Sequence, residues 1–150
     1  MVSRSWLPLL TLLALAACSR EPSTPAAPPA GRPAAAPTDL LAVVPKDAGK
    51  AWAADAHTRE QIGAMAAAVQ AAAGDASQQA TQALGKKLQE IAGKLMAGCT
   101  MGGAAHEALH EYLGVLLPRL TAMTGPDAAA AQQARGEVAA VLGRFGEYFQ

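Results

Sequence analysis

The stretch Leu84 to Cys99, LGKKLQEIAGKLMAGC, sets Leu84, Leu88, Ile91 and Leu95 at alternating steps of four and three. Apolar residues at that interval line one stripe of an α-helix, whereas a half-buried strand would alternate them at every second residue. One more step of four lands on Cys99. The thiol is therefore expected to face the same interior seam as the leucines.

The same period extends in both directions. After a loop over Thr100 to Gly103, a third helix is predicted to start near Ala104, with Leu113, Leu117 and Leu120 on its seam and Leu109, Tyr112, Leu116 and Met123 as a second apolar row. Continued backwards, the Leu113 series reaches His110 and then His106. Pro118 is expected to kink this helix, with Gly114 easing the clash of its ring. Thr124-Gly125-Pro126-Asp127 breaks it, and Pro126 suits the first turn of a fourth helix carrying Ala131, Ala134, Val138, Val141, Leu142, Phe145 and Phe149. On the N-terminal side, Thr58-Arg59-Glu60-Gln61 fits a capping box ahead of Ile62, Met65, Ala66 and Val69, and Asp75-Ala76-Ser77-Gln78 can cap the helix that holds the opening stretch. Four amphipathic helices with short connections predict an all-α fold, an antiparallel up-down four-helix bundle over residues 39–150. No period assigns secondary structure between Asp39 and His57. There Leu40, Leu41, Val43 and Val44 form a short apolar segment ending before Pro45, and Trp52 is expected to pack on the domain.

Twelve basic and twelve acidic residues balance in 150. They are scattered, so the clustered cations that nucleic acid demands are missing and no nucleic-acid partner is expected. The first 17 residues combine Arg4, an apolar run from Trp6 to Leu15 and the small residues Ala16 and Ala17, which reads as a targeting signal. The run is shorter than the about 20 residues of a spanning helix. Leu15-Ala16-Ala17-Cys18 resembles the lipobox of bacterial lipoproteins. That resemblance implies cleavage before Cys18, diacylation of its sulfur and acylation of the new N-terminus, and hence a lipid (palmitate-type) membrane anchor in the cell envelope. Ser19, where aspartate would favour inner-membrane retention, leans the expected location to the periplasm-facing outer membrane. Residues 18–38, rich in Pro and Ala, are expected to form a disordered tether; at about 3 Å per extended residue it reaches up to ~60 Å.

Lipidation of Cys18 leaves Cys99 as the second of two cysteines without a partner in the chain, in a compartment that favours disulfides. It opens the stretch CTMGGAAHEALH, Cys99 to His110, which also holds two of the three histidines. Histidines four apart share a helix face, and a glycine-rich loop just before them can fold a thiolate and a thioether over the same point. Cys99, Met101, His106 and His110 are thus the candidate metal ligands. One thiolate, two imidazoles and a weak methionine make up the ligand set of blue-copper sites, and the soft sulfur donors favour copper over zinc. The N-terminal end of the third helix favours thiolate and neutral imidazole, the states a metal needs. Glu107 and Glu111 are candidates to orient an imidazole, although solvated surface charge is the commoner role. His57 is expected to cap or lie on the surface. The stretch CTMGGAAHEALHEYL, Cys99 to Leu113, is similar to a motif of small, uncharacterised helical proteins of bacterial envelopes; it implies no settled activity.

The composite expectation is a non-enzymatic, exported, lipid-anchored bundle that binds one copper ion for storage, transfer or electron transfer. Two other readings stand beside it. In one the bundle is structural and docks on an envelope protein or on itself, with Cys99 and both histidines merely buried. In the other it binds haem, although no attachment motif is present.

Overall fold

The structure, a computed structural model, describes residues 39–150. The expected signal at 1–17, lipidated Cys18 and the tether to residue 38 lie outside the described residues. The fold is an all-α, antiparallel up-down four-helix bundle: α1 (Ala56–Ala71), α2 (Gln78–Gly98), α3 (Gly103–Met123) and α4 (Ala128–Gly143), followed by a 3-10 turn at Phe145–Glu147. Each helix packs on its neighbours, and α2 also touches α4 across the core. Among the described residues no helix is long and apolar enough to cross a membrane.

Local chemistry sets the helix ends. Ser77 caps α2 by accepting the Ala80 N–H at 3.2 Å, and Asp127 caps α4 by accepting the N–H groups of Ala129 and Ala130. Pro126 therefore lies before the cap of α4 and not, as expected, in its first turn. The start of α1 also differs from expectation. Its cap is Asp55, whose Oδ1 accepts the Thr58 N–H at 2.6 Å, and Thr58 is buried in the first turn. A carboxylate is the stronger acceptor for an unpaired N–H, so the aspartate three residues earlier takes the capping role from the threonine. α3 has no side-chain cap and begins at Gly103, whose φ of +60° suits glycine. Pro118 lies within α3, and the helix runs on to Met123.

The opening stripe is buried as the period requires: Leu84, Leu88, Ile91 and Leu95 are all in the core. Each such side chain contributes about 1.5–3 kcal/mol by leaving water. On α3 both rows reach the core: Leu109, Tyr112, Leu116 and Met123 are buried, and so are Leu113 and Leu120, while Leu117 and His106 are half-buried and His110 is exposed. The reason is that α3 packs against both α2 and α4, so its centre line faces the middle of the bundle and the histidine row falls on one margin.

The segment that sequence left unassigned closes the domain. Leu41 and Val44 enter the core. Trp52 donates its backbone N–H to the Tyr148 carbonyl at 2.7 Å and accepts from Gln150 at 2.9 Å, while Ala54 donates to Gln150 at 2.8 Å. The Trp52 indole N–H donates to the Pro45 carbonyl at 2.8 Å. Behind these rungs the rings of Tyr112, Phe145 and Phe149 pack together with centroids 4.9–5.8 Å apart, an arrangement that adds to area burial alone.

Candidate metal centre

Helix α2 ends at Gly98, and Cys99 follows in extended conformation as its C-cap residue. The turn from Cys99 to α3 is held from outside by Asp55. While its Oδ1 caps α1, its Oδ2 accepts the Thr100 N–H at 2.6 Å and the Thr100 hydroxyl at 2.7 Å. Bonds from the Thr58 hydroxyl and N–H and from the Thr100 N–H hold the Asp55 carboxyl far below the usual carboxylate range. One carboxylate thus ties the start of α1 to the residue after the cysteine. The Thr58 hydroxyl also lies 4.0 Å from Cys99 Sγ. It has one proton, and the nearby carboxylate is the better acceptor, so its hold on the sulfur is weak.

His57 is used structurally. Its Nε2–H donates to the Lys94 carbonyl near the end of α2 at 3.0 Å, and its ring lies so close to Gly98 that a Cβ there would collide with it. Glycine at 98 is what admits the ring. His57 thus neither caps α1, where Asp55 takes that place, nor lies free on the surface: it bridges α1 to α2, and the carbonyl fixes its tautomer.

The other two histidines meet the thiol. His106 Nδ1 is 3.7 Å from Cys99 Sγ, and His106 Nε2 is 2.9 Å from His110 Nε2. The two rings cross at 77° with centroids 4.4 Å apart, as residues one turn apart on one helix face can. Cys99 and His106 are half-buried and His110 is exposed. Together they line a pocket of about 100 Å³ in the α2–α3 groove, whose remaining walls are Leu95, Met96, Leu109 and Leu113. That volume suits an ion or a small group; small-molecule pockets run to about 300 Å³ and more, and a haem would not enter without opening the groove.

Of the four side chains singled out by spacing, the structure brings three together. Met101 is half-buried against the core and does not line the pocket. Met96 does, and about half of its surface, 52 %, is exposed. Sequence reasoning passed over it, although the signal was present: Met96 stands three residues before Cys99, hence on the same face of the end of α2, whereas Met101 shares only a loop with it. Glu107 and Glu111 stay exposed, and the nitrogen of His106 that a glutamate might have oriented faces His110 instead.

The three side chains form a chain and not a cage. The 3.7 Å and 2.9 Å separations each match two donors of one ion, given metal–nitrogen and metal–sulfur bonds of about 2.0 and 2.3 Å. One imidazole cannot offer both nitrogens to the same ion, however, and here the two nitrogens of His106 face opposite partners. Among the described residues no three His, Cys, Asp or Glu side chains surround a common point. With the proton on Nε2 donated to His110, the Nδ1 lone pair is free to face the sulfur. In that tautomer His106 can accept the thiol proton or share an ion with the thiolate. Comparison with family models, with curated proteins and with solved structures finds no match to this chain.

Proposed function

We propose that this protein is an exported, lipid-anchored bundle that binds one copper ion in the α2–α3 groove, to store it, pass it on or carry an electron. The observation that carries the reading is the Cys99 sulfur facing His106 Nδ1 at 3.7 Å inside an apolar pocket with a second sulfur, Met96, on its wall. Thiolate and thioether are soft donors that select reduced copper over zinc or the hard cations. Cys99 and His106 are the primary ligands and Met96 completes the set. His110 accepts the His106 Nε2–H and thereby keeps Nδ1 available, the usual job of a residue behind a ligating histidine. Met101 serves as packing. The leucines of the wall surround the donors with apolar surface.

The anchor rests on Leu15-Ala16-Ala17-Cys18 and on the proline-rich stretch that follows. Two or more acyl chains would hold the domain stably at a membrane surface, where one chain is marginal. Labelling of the protein by palmitate in a bacterial host, abolished by Cys18→Ser, is the expected result; labelling that survives the substitution would remove the anchor from the account.

The structural alternative has less support. Among the described residues the large exposed apolar side chains are Val43 and Met96, too few for a docking face, and Met96 already belongs to the pocket. The test uses the full chain carrying Cys18→Ser, so that Cys99 is its sole thiol. Titration with copper should saturate at one equivalent and, with Cu(II), show a thiolate-to-copper charge-transfer band that vanishes in Cys99→Ala. Binding no tighter than that of a His106→Ala/His110→Ala variant would refute the proposal.

A further inference from the structure

The thiol, imidazole and imidazole in line at the pocket are the parts of an activated nucleophile: a sulfur, a base within reach of its proton, and a group that orients the base. Cys99 Sγ faces His106 Nδ1 at 3.7 Å, and His106 Nε2 faces His110 Nε2 at 2.9 Å. Among the described residues the cysteine has no disulfide partner; it is half-buried and lies at a pocket with apolar walls. The sulfur is therefore neither sealed in the core nor free in water. Leu95, Met96, Leu109 and Leu113 would receive a small uncharged group beside it, and they offer nothing to a charged one.

We infer that Cys99 is a modification site, a nucleophilic thiol that exchanges with small disulfides bearing uncharged, apolar substituents, with His106 as its base and His110 as the residue that positions His106. The sulfur attacks one sulfur of the disulfide as its proton passes to His106 Nδ1. The new Cys99 sulfur–sulfur bond forms, the bond within the reagent breaks, and the departing thiolate takes the proton back from His106. One thiol and one disulfide are consumed, and one mixed disulfide and one thiol are formed, so no outside oxidant is needed. While His106 carries the extra proton, its Nε2–H bond to His110 spreads the charge. The exchange does not depend on copper, but if copper binds as proposed above, the mixed disulfide removes its thiolate ligand and makes loading sensitive to the redox state of the compartment.

The reaction is followed on the full chain with Cys18→Ser, with a chelator present to exclude metal, using 2,2′-dipyridyl disulfide as the uncharged aromatic probe and the dianionic dithiobis(nitrobenzoate) for contrast. In the folded parent the dipyridyl probe should react at least about tenfold faster than in the same protein in guanidinium, a modest share of what a positioned base supplies. That gain should disappear in His106→Gln and fall about threefold in His110→Gln, while the anionic probe should gain little from folding. The denatured variants should all react alike, which separates the base from a general loss of structure. A folded rate no greater than the denatured one would overturn the inference using the parent alone, and so would a folded His106→Gln that reacts as fast as the parent. Copper titration of the same samples is a separate readout: exchange without copper binding leaves this site standing and removes only the link to metal.

Discussion

Two parts of this bundle treat polar atoms in opposite ways. Where residues 52–54 meet the C-terminus, the polar groups named above are paired with backbone: Trp52 and Ala54 form rungs with Tyr148 and Gln150, and the buried Tyr112 hydroxyl donates to the Val141 carbonyl at 2.9 Å. Burial pushes the Tyr112 phenol well above its usual value, so it stays a neutral donor at any ordinary pH. In the α2–α3 groove the polar side chains face one another and leave the thiol with a weak hydroxyl contact and one imidazole. The first region is organised for stability. The second sets a thiol with only those two weak partners beside a pocket, the arrangement that the proposed site requires.

The sharpest way to break the contrast is to delete one side chain from each region. Phe149→Ala removes a side chain that is 1 % exposed and stacked on Phe145, and it should cost about 3–5 kcal/mol in urea unfolding. Cys99→Ala should cost less than about 1 kcal/mol while abolishing copper binding. If the two variants lost similar stability, the groove would be core like the rest.

Asp55 links the regions' logic, because its carboxylate caps α1 and also holds Thr100 beside the thiol. Asp55→Ala should destabilise the fold by about 1–2 kcal/mol and weaken copper binding as well, since the turn that presents Cys99 would loosen. The sign of the pH effect follows from its lowered carboxyl pKa. In that range the unfolded chain binds the proton more readily than the folded one. The stabilisation is therefore complete above the ordinary aspartate value of about 4 and is lost as pH falls from there through the depressed folded value. In acid unfolding, Asp55→Asn should show a shallower loss over that window than the parent; identical slopes would mean that the carboxylate is not held in this way.

A smaller effect is expected at the end of α2. Gly98→Ala must displace the His57 ring from the Lys94 carbonyl and should cost about 1 kcal/mol, the net value of a lost hydrogen bond. His57→Ala alone should cost a similar amount, and the double variant should add little to either.

These contrasts also show what the sequence could and could not carry. The α2 stripe was legible because Leu84, Leu88, Ile91 and Leu95 keep a strict helical step, and the step that continues them places Cys99 at the groove. The facing of His106 and His110 was legible for the same reason. On α3 Leu113 and Leu120 are buried as their step requires, but the half-burial of Leu117 and the exposure of His110 are not legible, because the period finds a stripe and does not say how many neighbours it meets. Asp55 and Thr58 are both residue types that cap helices and stand three apart, and the bond from Asp55 to Thr100, which adds to the carboxylate's advantage as an acceptor, is tertiary and leaves no local signal. Pairing of Trp52 with Tyr148 and Gln150 joins segments nearly a hundred residues apart and leaves no local pattern at all. For Met96 the spacing of three before Cys99 is a legible signal of a shared face, but its place on the pocket wall depends on how α2 and α3 are set against each other.

The central claim is that one copper ion is held by sulfur and imidazole in the α2–α3 groove, and X-ray absorption of the copper-loaded full chain with Cys18→Ser tests it most directly. The account predicts two sulfur scatterers and one imidazole nitrogen, with one sulfur lost in Met96→Leu and none lost in Met101→Leu. A first shell of nitrogen and oxygen alone, unchanged by Cys99→Ala, would contradict it.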